Sequence, residues 1–362
     1  MSNKKISRRK FLQYSLLSAG AIRLRPQLSW FQMTDEWSDA ERLGRNCTGG
    51  MINMRIRPNA ESESVKSLYE DAIVVWLREV VGEAPAGVYN KRWVETPEGY
   101  LYLPNIQPVF YQPNKPLQSL PATPEGAGMW AEVTVPYVDI VLDKAPCSYW
   151  LQSVQYPRLY YSQVMWVDGM DTNSQGQVMY RLNERYGNCG DIYWAAAEAF
   201  RPITSEEILP INPEAENKRI VVDLSHQSLS CYEDRREVYF CRVSTGAKFD
   251  YLGNPVDKWS TPVGEHLPWR KSISTHMAGG STGVGYDTAG IGWSTLFDPD
   301  GAAIHSTFWH NDFGMPRSHG CVNTRPEDAK WIFRWALPTV DYFPGDVNII
   351  GPGGTVVDVK EV

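Results

Sequence analysis

The chain has 362 residues and a formal net charge of −7. Hydrophobic residues make up 43% and charged residues 21%, which excludes wholesale disorder. The acidic balance argues against nucleic acid as a main partner, and no run of 18 apolar residues signals a conventional membrane-spanning helix. This length favours two or three domains. With 29 Gly, 25 Pro and 12% aromatics, many short strands and turns are expected, and the fold class reads as mainly β.

The first segment is basic: Ser7-Arg8-Arg9-Lys10-Phe11-Leu12-Gln13, then a short apolar stretch over 11–22. Adjacent arginines with Phe two residues later resemble the twin-arginine export signal, so residues 1–30 read as a signal segment outside the fold. The resemblance implies an extracytoplasmic protein, in the cell wall or periplasm. Ala19-Gly20-Ala21 has the small-x-small form of a cleavage site, but Arg23 and Arg25 follow closely. Cleavage and an uncleaved anchor both stay open. Export would let disulfides persist among the six cysteines, at 47, 147, 189, 231, 241 and 321. Cys231 and Cys241 flank an expected hairpin, and either a bridge or two buried thiols fits.

Residues 45–107 contain alternating apolar positions broken by Pro, Asn and Gly, which predict short antiparallel strands. The opening Asn53-Met54-Arg55-Ile56-Arg57-Pro58 and the later Trp93-Val94 and Gly99-Tyr100-Leu101 resemble the bacterial SH3-like domain. That resemblance implies a small barrel that binds wall peptides or packs beside a catalytic domain. Residues 108–128 hold five prolines and read as a linker or an extended surface segment. Strand-like runs at 131–135, 160–167 and 178–182 mark a second β domain over 129–212, for which a diverged SH3-like barrel is one reading.

From Asn217 the texture changes. Runs at 219–224, 228–232 and 237–244 form a meander around the polar turn 233–236. One segment, 326–335, reads as a helix, with Thr324 as N-cap and acidic residues in its first turn.

The chemistry concentrates in Ile304-His305-Ser306-Thr307-Phe308-Trp309-His310 and Arg317-Ser318-His319-Gly320-Cys321-Val322-Asn323. A thiolate, not a thiol, is the nucleophile, and a helix start and neighbouring histidines are where a cysteine's pKa falls. Three of the chain's six histidines lie within the 16 residues before Cys321. Gly320 allows a tight turn whose N–H groups could hold an oxyanion. These are the parts of a Cys–His acyl-transfer site. A zinc set of His305, His310, His319 and Cys321 lacks a Cys-x-x-Cys or His-Glu-x-x-His spacing, so no metal is expected; the reaction implied by the resemblance described next needs no organic cofactor either. A purely structural Cys321 is the remaining alternative.

His305-Ser306 with Trp309, then Ser318-His319-Gly320-Cys321-Val322-Asn323, resembles the signature of the L,D-transpeptidase (YkuD-type) family. Val243-Ser244-Thr245-Gly246, Ser260-Thr261-Pro262-Val263-Gly264, Pro326 with Asp328-Ala329 and Trp331, and Gly345-Asp346-Val347 add to it, in order, over residues 217–351. The segment Val284-Gly285-Tyr286-Asp287 departs from the pattern and suggests substrate-contact loops of this protein's own.

The resemblance implies a β-sandwich-like catalytic domain with a short helix after the cysteine. It also implies roles. Cys321 is the nucleophile and His305 the general base, oriented by the Ser306 carbonyl. His319 and Gly320 shape the turn and oxyanion pocket, with Ser318 and Asn323 in support. His310 has no assigned role and is expected in solvent. The implied partners are peptidoglycan stem peptides, as donor and acceptor, and carbapenem-type inhibitors. The implied reaction passes through a Cys thioester, releasing D-Ala from a stem tetrapeptide. An amine acceptor gives a cross-link, water gives L,D-carboxypeptidase action, and a protein amine gives attachment to the wall. A non-catalytic wall-binding protein is the reading from another class.

Overall fold

The computed structural model describes residues 40–361 apart from 86, 155, 185–189, 250–252, 280–285 and 352. The basic N-terminal segment read above as an export signal, and Cys189, lie outside the described residues. The protein is mainly β, with many short strands and few helices.

The front unit spans residues 43–109. One sheet orders its strands Ser64–Leu68, Ile52–Arg55, Tyr100–Tyr102, Arg92–Glu95 and Arg78–Val81. A second places Leu43–Asn46 between Ile73–Val75 and Ile106–Val109. Every residue of Leu43–Asn46 is buried, because this strand is covered on both faces. Met54, Trp76, Val94, Leu101 and Ile106 fill the space between the sheets.

The second unit is a six-stranded antiparallel sheet built around Met129–Val133, Val164–Thr172, Val178–Asn183 and Ile192–Ala196. The proline-rich stretch before it is a strap on this sheet: Tyr111, Leu117 and Leu120 pack on its core, and the Leu117 N–H donates to the Tyr180 hydroxyl at 2.9 Å. Of the cysteines, Cys147 is disulfide-bonded. Cys231 and Cys241 are buried free thiols, since Cys231 lies opposite Tyr239 and Cys241 opposite Leu229.

The third unit stacks two five-stranded sheets. The first runs Arg236–Arg242, Ser228–Glu233, Lys218–Asp223, Val356–Lys360, Gly264–His266. The second runs Val322–Thr324, Ala303–Ser306, Tyr286–Leu296, Arg270–Gly279, Asp346–Asn348. The helix Pro326–Trp335 buries two faces. Ile332 and Trp335 join the core of the first sheet, while Ala329 and Phe333 join a core shared with Trp130, Val164, Trp166 and Ile203 of the second unit. That shared core welds the second and third units. Gly345, at φ +78°, lies so close to the Trp130 indole that a Cβ would sit 2.6 Å from it, so no side chain is tolerated there.

The helix ends show how its polar groups are met. Its N-cap is Arg325, without a side-chain cap, and not Thr324 as expected. The Thr324 hydroxyl donates instead to the carbonyl of His305 at 3.1 Å, which ties the helix start to the strand carrying that histidine. At the other end, the buried Lys271 ammonium donates to the carbonyls of Phe333, Ala336 and Pro338 at 2.7, 2.6 and 2.8 Å. Three donors meet three carbonyls, one in the last turn of the helix, one at its cap and one just beyond it.

Candidate active site

Two short parallel strands form the floor of the site. Ala303–Ser306 pairs with Val322–Thr324, and His305 stands opposite Asn323. Side chains alternate along a strand. Ile304 and Val322 therefore enter the core, leaving His305 and Asn323 on the other face. Cys321 sits just before the second strand, two positions from Asn323.

The turn that carries Cys321 is held by the expected motifs. Gly320 has φ +117°, a conformation other residues rarely adopt. The Ser318 hydroxyl donates to the Cys321 carbonyl at 2.6 Å and accepts the Gly320 N–H at 3.1 Å. Ser244 exchanges two backbone hydrogen bonds with Asn323, each at 2.9 Å, and Thr245 accepts the Arg317 and Ser318 N–H groups. Gly246 has no room for a side chain, since a Cβ would lie 2.0 Å from the Trp259 carbonyl oxygen. Thr261 Oγ1 accepts the Gly246 N–H at 2.9 Å. The Ser-Thr-Gly and Ser-Thr-Pro motifs are thus the scaffold beneath the cysteine turn.

Cys321, His305, Ser318, His319 and Asn323 line one cavity of ≈ 290 Å³. The Cys321 thiol is half-buried and contacts the Gly301 carbonyl at 3.9 Å. Burial pushes this thiol up to about 11, with the Ala303 backbone pulling the other way. His305 donates from Nδ1 to the Ser306 carbonyl at 2.8 Å, leaving Nε2 unprotonated. Burial pulls His305 down to about 4, the Ser306 carbonyl offsetting only part of that. The pair at neutral pH is a thiol and a neutral imidazole that can accept a proton.

The other expected residues are placed as follows. His319 is exposed at the rim, its ring 4.4 Å from that of Trp259 and 5.5 Å from that of Tyr286; burial and then Lys258 lower its pKa. Ser306 contributes its carbonyl to His305, and its hydroxyl accepts the Gly292 N–H at 3.1 Å. His310 is not in solvent. It is 5% exposed, and its Nε2 lies 2.9 Å from the Asn323 amide. It packs inward because the 307–317 loop folds against the front unit, a contact no local pattern announces.

That loop is clasped from outside the third unit. Arg45 donates to the Phe308 carbonyl at 3.0 Å, and its other nitrogens bond Asp71 and Gln107. Asn311 donates to the carbonyls of Pro104 and Ile106 at 3.0 and 3.1 Å. Asn90 donates to Asp312 at 2.9 Å.

The cavity also takes Met277, Thr288 and Ile291 from the long hairpin 270–296, together with Tyr286, Trp309 and Arg317. The hairpin residues escaped the sequence reading, because their alternation is that of any half-buried strand. Arg317 escaped too, although its place beside Ser318 was a usable signal. Among the described residues, no group of three or more His, Cys, Asp or Glu side chains is placed to hold a metal ion.

Residues 217–359 match the family model described as the L,D-transpeptidase catalytic domain. This stretch is an L,D-transpeptidase (YkuD) catalytic domain. No curated protein matches the chain. Among solved structures, an Enterococcus faecium L,D-transpeptidase mutant is 23% identical over 41% of this chain and 51% of its own, with TM-score 0.30. An L,D-transpeptidase from Mycobacterium smegmatis is 14% identical over 51% and 90%, with TM-score 0.32. An L,D-transpeptidase in complex with imipenem is 14% identical over 53% and 99%, with TM-score 0.31. The present chain thus spans about half the length of the Enterococcus faecium chain. The L,D-transpeptidase domain here contains Cys321, His305 and the cavity between them.

Proposed function

We propose that this protein is an exported cysteine acyltransferase that cross-links peptidoglycan through a thioester on Cys321. One observation carries the reading: Cys321 and His305 share a cavity, and His305 presents an unprotonated Nε2 because Nδ1–H is bound to the Ser306 carbonyl. Attack by Cys321 Sγ on the carbonyl of the third stem residue forms the C–S bond while the thiol proton passes to His305 Nε2. The tetrahedral oxyanion is held by N–H groups of the turn at Gly320. Its collapse breaks the C–N bond to D-Ala, whose amine takes the proton from His305. An acceptor amine then attacks the thioester and returns a proton to sulfur through the same imidazole. A thiol held near 11 and an imidazole near 4 support proton transfer in step with attack, not a resting thiolate.

Imipenem is the chemical probe. Intact mass after incubation is expected to show a single adduct, absent from Cys321→Ala. An unmodified wild-type mass at high drug defeats the reading. A purified tetrapeptide muropeptide then separates the acceptors: cross-linked dimer supports transpeptidation, while tripeptide alone assigns hydrolysis.

Export is supported by the twin-arginine pattern at Arg8-Arg9 and by the disulfide at Cys147, which suits an oxidising compartment. Replacing both arginines by lysine is expected to retain the protein in the cytoplasm; unchanged export rejects this route. We read the front unit as an SH3-like module whose task includes holding the 307–317 loop.

A further inference from the structure

His310 is a buried histidine beside the catalytic pair, and the chemistry above does not use it. Its Nδ1 accepts the Asp312 backbone N–H at 3.1 Å. A ring nitrogen that accepts carries no proton, so the neutral ring holds its proton on Nε2. Burial drives His310 down to about 3, with Arg317 and His305 adding to it, and the ring is neutral at physiological pH.

Nε2 lies 2.9 Å from the end of the Asn323 amide. An N–H can only donate, so the amide atom facing it is the oxygen. Amide oxygen and nitrogen are assigned by their partners, and a nitrogen in that place would set two donors head to head. The same orientation changes which group is left without a partner. With nitrogen toward His310, the Asn323 oxygen would be a buried acceptor with no partner. With oxygen toward His310, the acceptor is satisfied and the end without a partner is an NH2 donor.

The two residues border different spaces. Asn323 lines the Cys321 cavity, whereas His310 lines a neighbouring cavity of ≈ 440 Å³ against the front unit. The amide end turned away from His310 is therefore on the Cys321 side. The Asn323 backbone is fixed by its paired bonds to Ser244, so which way the amide faces is the freedom left to the side chain. That amide end is buried and has no hydrogen-bond partner within the protein.

We propose that His310 is a positioning residue: its Nε2–H holds the Asn323 amide by the oxygen, which leaves the Asn323 NH2 as a donor to an oxygen of the acyl group on Cys321. The proposal rests on Cys321 acylation for its kinetic consequence but not for its geometry. Long-range 1H–15N correlation spectra of the wild-type protein are expected to show His310 as the Nε2–H tautomer; the Nδ1–H tautomer overturns the proposal, whatever the enzyme's activity.

Kinetically, His310→Leu and Asn323→Ala are each expected to slow imipenem acylation about tenfold, the size of one hydrogen bond lost from a transition state. The double variant should be no slower than Asn323→Ala, since His310 acts through that amide. His310→Gln places an amide NH2 where Nε2–H stood and should stay within about threefold of wild type. A wild-type rate in His310→Leu overturns the inference. Additive losses in the double variant, or a folded His310→Gln as slow as His310→Leu, overturn it equally. If His310→Leu fails to fold, the tautomer and the glutamine variant still decide. Absence of any wild-type adduct would count against the Cys321 reading alone.

Discussion

Two places in this protein bury histidine, and they do opposite things with it. His305 and His310 sit against backbone and amide groups, and burial pulls both down, to about 4 and about 3. His276, fully buried on the long hairpin, lies between two carboxylates: Nδ1 is 2.7 Å from Glu184 of the second unit, and Nε2 meets Asp287. Burial pulls it down as well, but the hydrogen bonds and charges of Glu184 and Asp287 more than reverse this, and its pKa is raised. Desolvation is common to all three, so the sign is set by the charge of the partner. In the proposed chemistry the neutral pair serves proton transfer and orientation. The charged one is a clamp between the second unit and the strand whose Tyr286 borders the cavity.

The comparison can be broken by substitution. His305→Ala is expected to slow imipenem acylation 10²–10⁴-fold, roughly the span of general-base loss, while circular dichroism stays that of the wild type. Near-normal acylation would move the base elsewhere, with His319 the next candidate. His276→Ala leaves the buried Glu184 and the half-buried Asp287 facing each other without their cation. A loss of about 3–5 kcal/mol in unfolding free energy is expected from denaturant titration. A loss under 1 kcal/mol would mean that the clamp is not charged.

pH sharpens the contrast. His305 and His310 have depressed folded values, so their stabilisation is present above the unfolded value near 6.5 and is lost as pH falls toward 4 and 3. His276 has a raised folded value, so its stabilisation is complete below 6.5 and is lost as pH rises through that folded value. Unfolding free energy of wild type minus His276→Gln, followed across pH, should therefore decline on the alkaline side. The acylation rate should hold down to about pH 5 and fall as His305 gains a proton near 4. A rate that drops near 6.5 would show an unperturbed base.

Legibility tracks the range of the forces involved. The helix 326–335 was readable to the residue, because Pro326 and the acidic first turn are local signals. The meander from 218 to 242 was readable from alternation and its polar turn. Thr324 was misassigned because its hydroxyl has a better partner across the sheet, the His305 carbonyl. Cys321, His305 and the props at 244–246 and 260–262 were legible as motifs. The burial of His310 and the clamp at His276 were not, since each depends on a partner supplied from another element: Asn323 thirteen residues on, Glu184 ninety-two residues earlier.

The clasp on the 307–317 loop bears on how this molecule can be taken apart. Arg45, Asn90 and the carbonyls of Pro104 and Ile106 reach across more than 200 residues of chain to touch the segment between His305 and Cys321. A recombinant fragment starting at 217 would keep both reactive side chains and lose the hands that steady the stretch between them. On the function proposed above, replacing the front unit by a foreign module would remove these contacts and change turnover through the 307–317 loop.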